Sequence, residues 1–176
     1  MTLTLRSWSL SDAETLARHA DNPRVACNLR DSFPHPYTLE NAKWFIGFCL
    51  SADRTLYLAI DVDGEAAGGI SLTFEQDVHR KNAELGYWIA EPYWGKGVTT
   101  KAVGMIVARG FGDFPIERIY AMPFANNTAS RRVLEKNGFV MEGRLRGSIY
   151  KNGELIDSYM YALLRDEWEI FTQKKC

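Results

Sequence analysis

The chain has 176 residues, of which 46% are hydrophobic and 24% charged, and its formal net charge is -1. A chain of this size can bury ~70% of the surface it exposes when unfolded, enough for one core without staples, and its composition is globular rather than disordered. The near-zero charge leaves no surplus of Lys and Arg for a polyphosphate backbone, so nucleic acid is not expected as a partner. Cys27, Cys49 and Cys176 have no CxxC spacing, and His19, His35 and His79 share no ligand spacing. Neither a disulfide framework nor a metal site is expected from them. Met1 to Leu10 lacks the basic cluster and apolar run of a signal peptide, and no stretch approaches the ~20 apolar residues of a membrane helix. A cytoplasmic chain without a membrane partner is therefore expected, folded as one domain over residues 1–176.

In chain order, Leu3 to Ser7 suits a short strand, and Ser11 with Glu14 three residues on predicts a capping box ahead of Leu16, Ala17 and Ala20 at helical spacing. Asp21 to Pro36 is irregular. Leu39, Ala42, Phe45, Ile46 and Cys49 form the apolar stripe of a helix from Thr38 to Leu50, with Trp44 and Phe48 expected to pack along it. Leu56 to Asp61 and a return strand through Ile70, Leu72 and Phe74 make a hairpin about Asp63-Gly64, its alternation predicting one wet face. Ala83 to Ile89 is the next strand, with Leu85, Tyr87 and Ile89 on one face and Glu84, Gly86 and Trp88 on the other.

A Gly-rich turn then opens a helix containing Val103, Ile106, Val107 and Phe111. Ile119 to Met122 is a short strand, and Asn127 caps a helix that ends at Asn137-Gly138. A hairpin of Arg144 to Tyr150 and Leu155 to Leu163, joined at Asn152-Gly153, and a helix around Asp166 to Phe171 finish the chain.

The turn Gly95-Lys96-Gly97-Val98-Thr99-Thr100 carries the clearest chemical signal. Glycines let successive backbone N–H groups converge, and at a helix N-terminus such a concavity attracts phosphate. A bare GxG is equally a tight loop. Lys96 is followed by Gly97 rather than Ser or Thr, which excludes a Walker A loop, and Thr100 stands where a dinucleotide fingerprint needs its third Gly.

Ala83-Glu84-Leu85-Gly86-Tyr87-Trp88-Ile89, Trp94-Gly95-Lys96-Gly97, Asn127-Thr128-Ala129-Ser130 and Glu135-Lys136-Asn137-Gly138-Phe139 follow one another in order. In these motifs, within a core of about residues 83–140, the chain resembles the GNAT superfamily of acyl-CoA N-acetyltransferases, in particular its ribosomal-protein N-terminal acetyltransferase branch. The resemblance implies an α/β (α+β) domain whose central mixed sheet splays between the strand ending at Ile89 and that ending at Met122. It implies acetyl-CoA as co-substrate, with Gly95, Lys96, Gly97, Val98, Thr99 and Thr100 at the pyrophosphate and the backbone of Trp88, Ile89 and Ala90, with Asn127, along the pantetheine arm. The tyrosine that serves many relatives as general acid falls at Leu134, leaving Ser130 as the family-consistent substitute.

The reaction implied is direct attack of a neutral amine on the thioester, with Glu84 the candidate base, directly or through water, and Ser130 at the sulfur. The plain alternatives are a solvated carboxylate at a strand end and a serine bonded to its own helix backbone. At pH 7 a lysine-like amine of pKa ~10.4 costs about 4.6 kcal/mol to deprotonate and an α-amine near ~8 about 1.4, so base catalysis matters most for polyamine-like acceptors. The expected partner is an amine-bearing acceptor, first a protein N-terminus, then a polyamine or aminoglycoside; a non-catalytic acyl-CoA sensor is the reading from another class. A homodimer is the commonest assembly for small enzymes of this kind.

Overall fold

The computed structural model describes residues 1–174, so Cys176 and the end of the expected 1–176 domain lie outside the described residues. Strands β1 (Leu3–Arg6), β2 (Thr55–Val62), β3 (Glu65–Phe74), β4 (Asn82–Ile89), β5 (Arg118–Ala121), β6 (Val140–Lys151) and β7 (Glu154–Leu164) form one sheet in the order β1-β2-β3-β4-β5-β7-β6. Every neighbouring pair is antiparallel except β4 with β5. Helices α1 (Ala13–Ala20), α2 (Pro23–Ala26) and α3 (Leu39–Ser51) precede β2, α4 (Val98–Asp113) joins β4 to β5, α5 (Thr128–Lys136) follows β5, and α6 (Arg165–Gln173) ends the described chain.

Strand alternation divides the core. Leu58, Ile60, Ile70, Leu72, Leu85 and Ile89 pack with Val103, Ile106, Val107 and Phe111 of α4 and Leu134 of α5. On the other face Ala59 and Ala66 meet Leu16 and Ala20 of α1 and Ala42 and Ile46 of α3. Both two-residue hairpin turns form as the sequence predicts, with positive φ at Asp63 (53°) and Gly64 (90°) and at Asn152 (52°) and Gly153 (85°). α5 ends in a Schellman arrangement: Gly138 takes φ 86°, its amide donates to Glu135, and the Phe139 amide donates to Leu134 at 3.1 Å.

Two expectations are corrected and a third holds over part of its strand. The cap before α1 is Ser9 with Asp12, not Ser11 with Glu14: the Ser9 amide donates to the Asp12 carboxylate (2.9 Å) and the Ser11 amide to Ser9 Oγ (3.3 Å). The alternation of β3 holds from Ile70 on, where Ile70 and Leu72 are buried and Ser71 and Thr73 partly exposed, but it does not extend back along the strand: Ala66 through Ile70 are all buried, because helices cover both sides of that stretch and its small residues let them approach. Gly68 is the tightest point, where an added Cβ would stand 2.3 Å from the Trp88 carbonyl oxygen. Trp44 and Phe48 stack on each other, centroids 5.6 Å apart, on the exposed side of α3 rather than in the core.

Arg6 ties the first strand to the first helix. Its guanidinium donates to both oxygens of Asp12 (2.8 and 2.9 Å) and to Asp61 (2.7 Å), and both carboxylates belong to buried residues. Burial pushes the Asp12 carboxyl up, but the Arg6 fork and the Ser9 amide outweigh it and hold the group below the ordinary carboxylate range. A depressed native pKa stabilises the fold above the unfolded value of ~3.9 and ceases to do so as pH falls through the native one. Arg6→Ala leaves two carboxylates unpaired and is expected to cost ~2 kcal/mol at pH 7, below the cost for a fully buried pair because Arg6 keeps a third of its side chain exposed. Urea unfolding at pH 7, 5 and 3 should show the gap between wild type and variant narrowing as pH drops.

Candidate active site

The site begins where the sheet opens. β4 and β5 pair through only three positions, Asn82 with Arg118, Ala83 with Ile119 and Glu84 with Tyr120. Beyond Glu84, β4 runs on to Ile89 beside β3 alone, while β5 stops at Ala121 and turns away at Pro123. The Ala90 amide donates to the Ala67 carbonyl at 2.8 Å, so Ala90 and, by antiparallel alternation, Trp88 and Gly86 spend their backbone groups on β3. Tyr87 and Ile89 therefore turn theirs to the gap, where the Ile89 carbonyl already accepts from Trp94 Nε1 (2.9 Å).

The gap opens into a cleft of about 720 Å³ that runs from the start of α4 to the α1–α3 face of the sheet. Of the residues singled out from the sequence, Glu84, Trp88, Ile89, Gly95, Gly97, Val98, Thr99, Thr100, Asn127 and Ser130 line it. Ala90 and Lys96 do not: Ala90 is buried, and the Lys96 ammonium lies over the Tyr93 ring, 5.9 Å from its centroid.

At the α4 end, Gly95 (φ 72°) and Gly97 (φ 76°) hold left-handed backbone, and an added Cβ at either would meet nothing within 4 Å. Conformation rather than space thus calls for glycine. The first amide of α4 to find a backbone acceptor is that of Lys101, on Gly97, and no acidic residue occupies the first turn. The amides of Val98, Thr99 and Thr100 are those a helix start leaves for an anion. Arg132 and Lys136 of α5 also line the cleft.

In the middle, the Asn127 side-chain oxygen caps α5 by accepting from the Ser130 amide at 3.1 Å. Ser130 Oγ meets the Tyr87 hydroxyl at 2.7 Å. Burial pushes the Tyr87 phenol above the ordinary tyrosine value, with the Ser130 bond acting in the opposite sense, so this hydroxyl stays protonated at neutral pH. Tyr87 was not legible as a site residue, since its period-2 position marks it as core. Leu134, where many relatives carry tyrosine, is fully buried.

On the α1–α3 side, the registers Glu84–Thr73, Gly86–Ser71 and Ser71–Tyr57 put these residues on one face, and all of them line the cleft. Phe33, Phe45, Trp8 and Trp88 wall it, with Phe33 edge-on to Trp88 at 5.5 Å. The Glu84 carboxylate accepts a charged hydrogen bond from Arg30, which comes from the irregular segment after α2. Glu84 is the one carboxylate among the described residues lining the cleft, against Arg24, Arg30, Arg132 and Lys136. Burial raises the Cys49 thiol to about 12, which marks it as a packing residue. Among the described residues no group of three or more His, Cys, Asp and Glu could hold a metal, and no helix is long and apolar enough to cross a membrane.

A sheet split between two parallel strands, with a glycine-rich helix start at one end and an aromatic-walled pocket at the other, is the architecture of an acyl-CoA N-acetyltransferase. Residues 2–140 match the acetyltransferase (GNAT) domain family, and the chain belongs to it. YdaF of Bacillus subtilis (strain 168), which carries a provisional assignment as a ribosomal N-acetyltransferase, is 40% identical over 107 residues, 61% of this chain and 58% of its own length. That match thus spans little more than half of the relative. Among solved structures, the ribosomal L7/L12 alpha-N-protein acetyltransferase RimL in complex with coenzyme A superposes with a TM-score of 0.84 at 24% identity, covering 95% of this chain and 96% of that one. Spermidine N-acetyltransferase from Vibrio cholerae, in complex with CoA and spermine, gives 0.81 at 21% identity over 95% and 98%.

Acetyl-CoA is the co-substrate of this class. The open amides of α4 and the unpaired edge of β4 are the backbone groups of the cleft available to a phosphate and to an amide-bearing arm. In a Gly97→Ala variant the left-handed turn would cost ~1–2 kcal/mol to keep, so CoA affinity should fall about tenfold. Titration calorimetry checks it, with saturating acetyl-CoA expected to restore turnover.

Proposed function

We propose that the protein transfers an acetyl group from acetyl-CoA to the α-amine of a polypeptide, by direct attack in a ternary complex. The observation that carries this reading is the charge of the acceptor side: one carboxylate, Glu84, already engaged by Arg30. A polyamine or an aminoglycoside brings several ammonium groups and needs several carboxylates in place of arginines. An α-amine brings one charge, loses its proton for about 1.4 kcal/mol at pH 7, and asks little of a base.

In this reading acetyl-CoA supplies an electrophilic acyl thioester, held by the Gly95–Thr100 turn and the backbone edge of Tyr87 and Ile89. Glu84, directly or through a water, receives the proton of the incoming amine. The Ile89 amide, on the open edge of β4, is a donor for the oxyanion. The Tyr87–Ser130 hydroxyl pair, at the N-terminus of α5, offers a proton and a favourable dipole to the departing sulfur, the place left without a tyrosine at Leu134. Glu84 and Ser130 keep the roles proposed for them from the sequence, and Tyr87 joins Ser130.

Acetyl-CoA-dependent thiol release should appear with peptides bearing a free α-amine and be lost when that amine is blocked. Spermidine and kanamycin should be at least tenfold poorer by kcat/KM. Faster release with spermidine would reverse the assignment, and saturable acetyl-CoA binding with no release on any acceptor would favour a sensor. Glu84→Gln should lower kcat by about tenfold at pH 7 with CoA affinity kept, and its rate should recover as pH rises past ~8, where the α-amine loses its proton unaided.

A further inference from the structure

We infer that Arg30 selects the acceptor, by pairing with a carboxylate carried at the second residue of the polypeptide whose α-amine is acetylated; this rests on the α-amine reading above. Arg30 lies in the irregular segment after α2 and reaches 54 residues along the chain to Glu84. Its side chain is 70% exposed and lines the cleft, and that contact with Glu84 is its one hydrogen bond among the described residues. A guanidinium has five N–H donors in a planar fork, so most of the fork faces the cleft uncommitted. Arg24 of α2, which also lines the cleft, is taken up by Glu91 and by the face of the Trp94 ring.

Glu84 and Arg30 together thus present a negative and a positive group side by side on the acceptor floor. A zwitterionic pattern complements that pair: an ammonium for Glu84 and a carboxylate for Arg30. The backbone advances only ~3.3 Å per residue in an extended peptide, so an α-amine and a side-chain carboxylate one residue on fall within reach of the Glu84 carboxylate and the longer Arg30 fork in turn. A polycation meets the reverse situation. Arg30 holds the position against Glu84 that a second ammonium would need, and like charges exclude it.

The test uses peptides of one length with serine first and Asp, Ala or Lys second, with wild type, Arg30→Ala, Arg30→Lys and Arg30→Glu. For wild type, kcat/KM should fall from Asp to Ala to Lys by about tenfold at each step, modest because the site is open to solvent. Arg30→Ala should collapse the Asp-to-Ala ratio to near one, Arg30→Lys should restore part of it, and Arg30→Glu should invert the order and raise spermidine turnover. Acetyl-CoA affinity, measured in parallel, reports that each variant is folded. Equal acetylation of all three peptides by wild type, or an Asp preference that survives Arg30→Ala, would overturn the inference while leaving the α-amine reading in place. Transfer to spermidine with none to any peptide would overturn both.

Discussion

Two neighbouring strands that stop pairing create a demand inside the fold. The backbone N–H and C=O groups of a sheet interior must find partners, yet β4 runs five residues past its last pair with β5 at Glu84. β5 cannot follow it, because the chain turns at Pro123, which has no N–H to give, and Phe124 bridges instead to Ser158 of β7. Tyr87 from β4 and Ser130 from α5 hold the wedge open by bonding across it. In the proposed function the open edge takes an extended ligand that carries amides of its own, as the arm of CoA does. The glycine-rich turn, the Tyr87–Ser130 hydroxyl pair and the Glu84–Arg30 pair all line the same cleft.

The cleft also joins the two faces of the sheet. Side chains of β4 alternate, so Tyr87 and Ile89 belong to the α4–α5 side and Glu84, Gly86 and Trp88 to the α1–α3 side. A splay lets both sets meet in one space, the Tyr87 and Ser130 hydroxyls on one hand and the Glu84 carboxylate on the other. That arrangement needs β4 held firmly from behind. β3 does so through Gly68 and Gly69, where any side chain would strike Trp88 or Ile89, and the Arg6 network anchors the far edge of the sheet to the helix that covers it.

Local signals explain how much could be read in advance. Asp63-Gly64, Asn152-Gly153 and Asn137-Gly138 state their backbone conformation in two residues, and all three turns form where the sequence predicts. Gly95 and Gly97 were legible for the same reason, and Glu84, Asn127 and Ser130 through the order of the motifs around them. Long-range pairings were not. Arg30 sits in a stretch without periodicity, and nothing near it marks a partner on β4. Tyr87 alternates as a core residue should, and its hydroxyl finds Ser130 only once α5 has folded back, 43 residues later. Asp12 replaces Glu14 in the first cap because Arg6, held also by Asp61, binds the Asp12 carboxylate where it meets the Ser9 amide, a tertiary demand that sequence spacing alone does not state.

Amide hydrogen exchange with and without CoA, read residue by residue, tests most directly whether the open edge holds the donor. Protection should rise at Tyr87 and Ile89 and at Val98 to Thr100, while Ala90, already bonded to Ala67, should change little. Unchanged exchange along β4 at saturating CoA, with protection elsewhere, would contradict the open edge as the seat of the acyl donor.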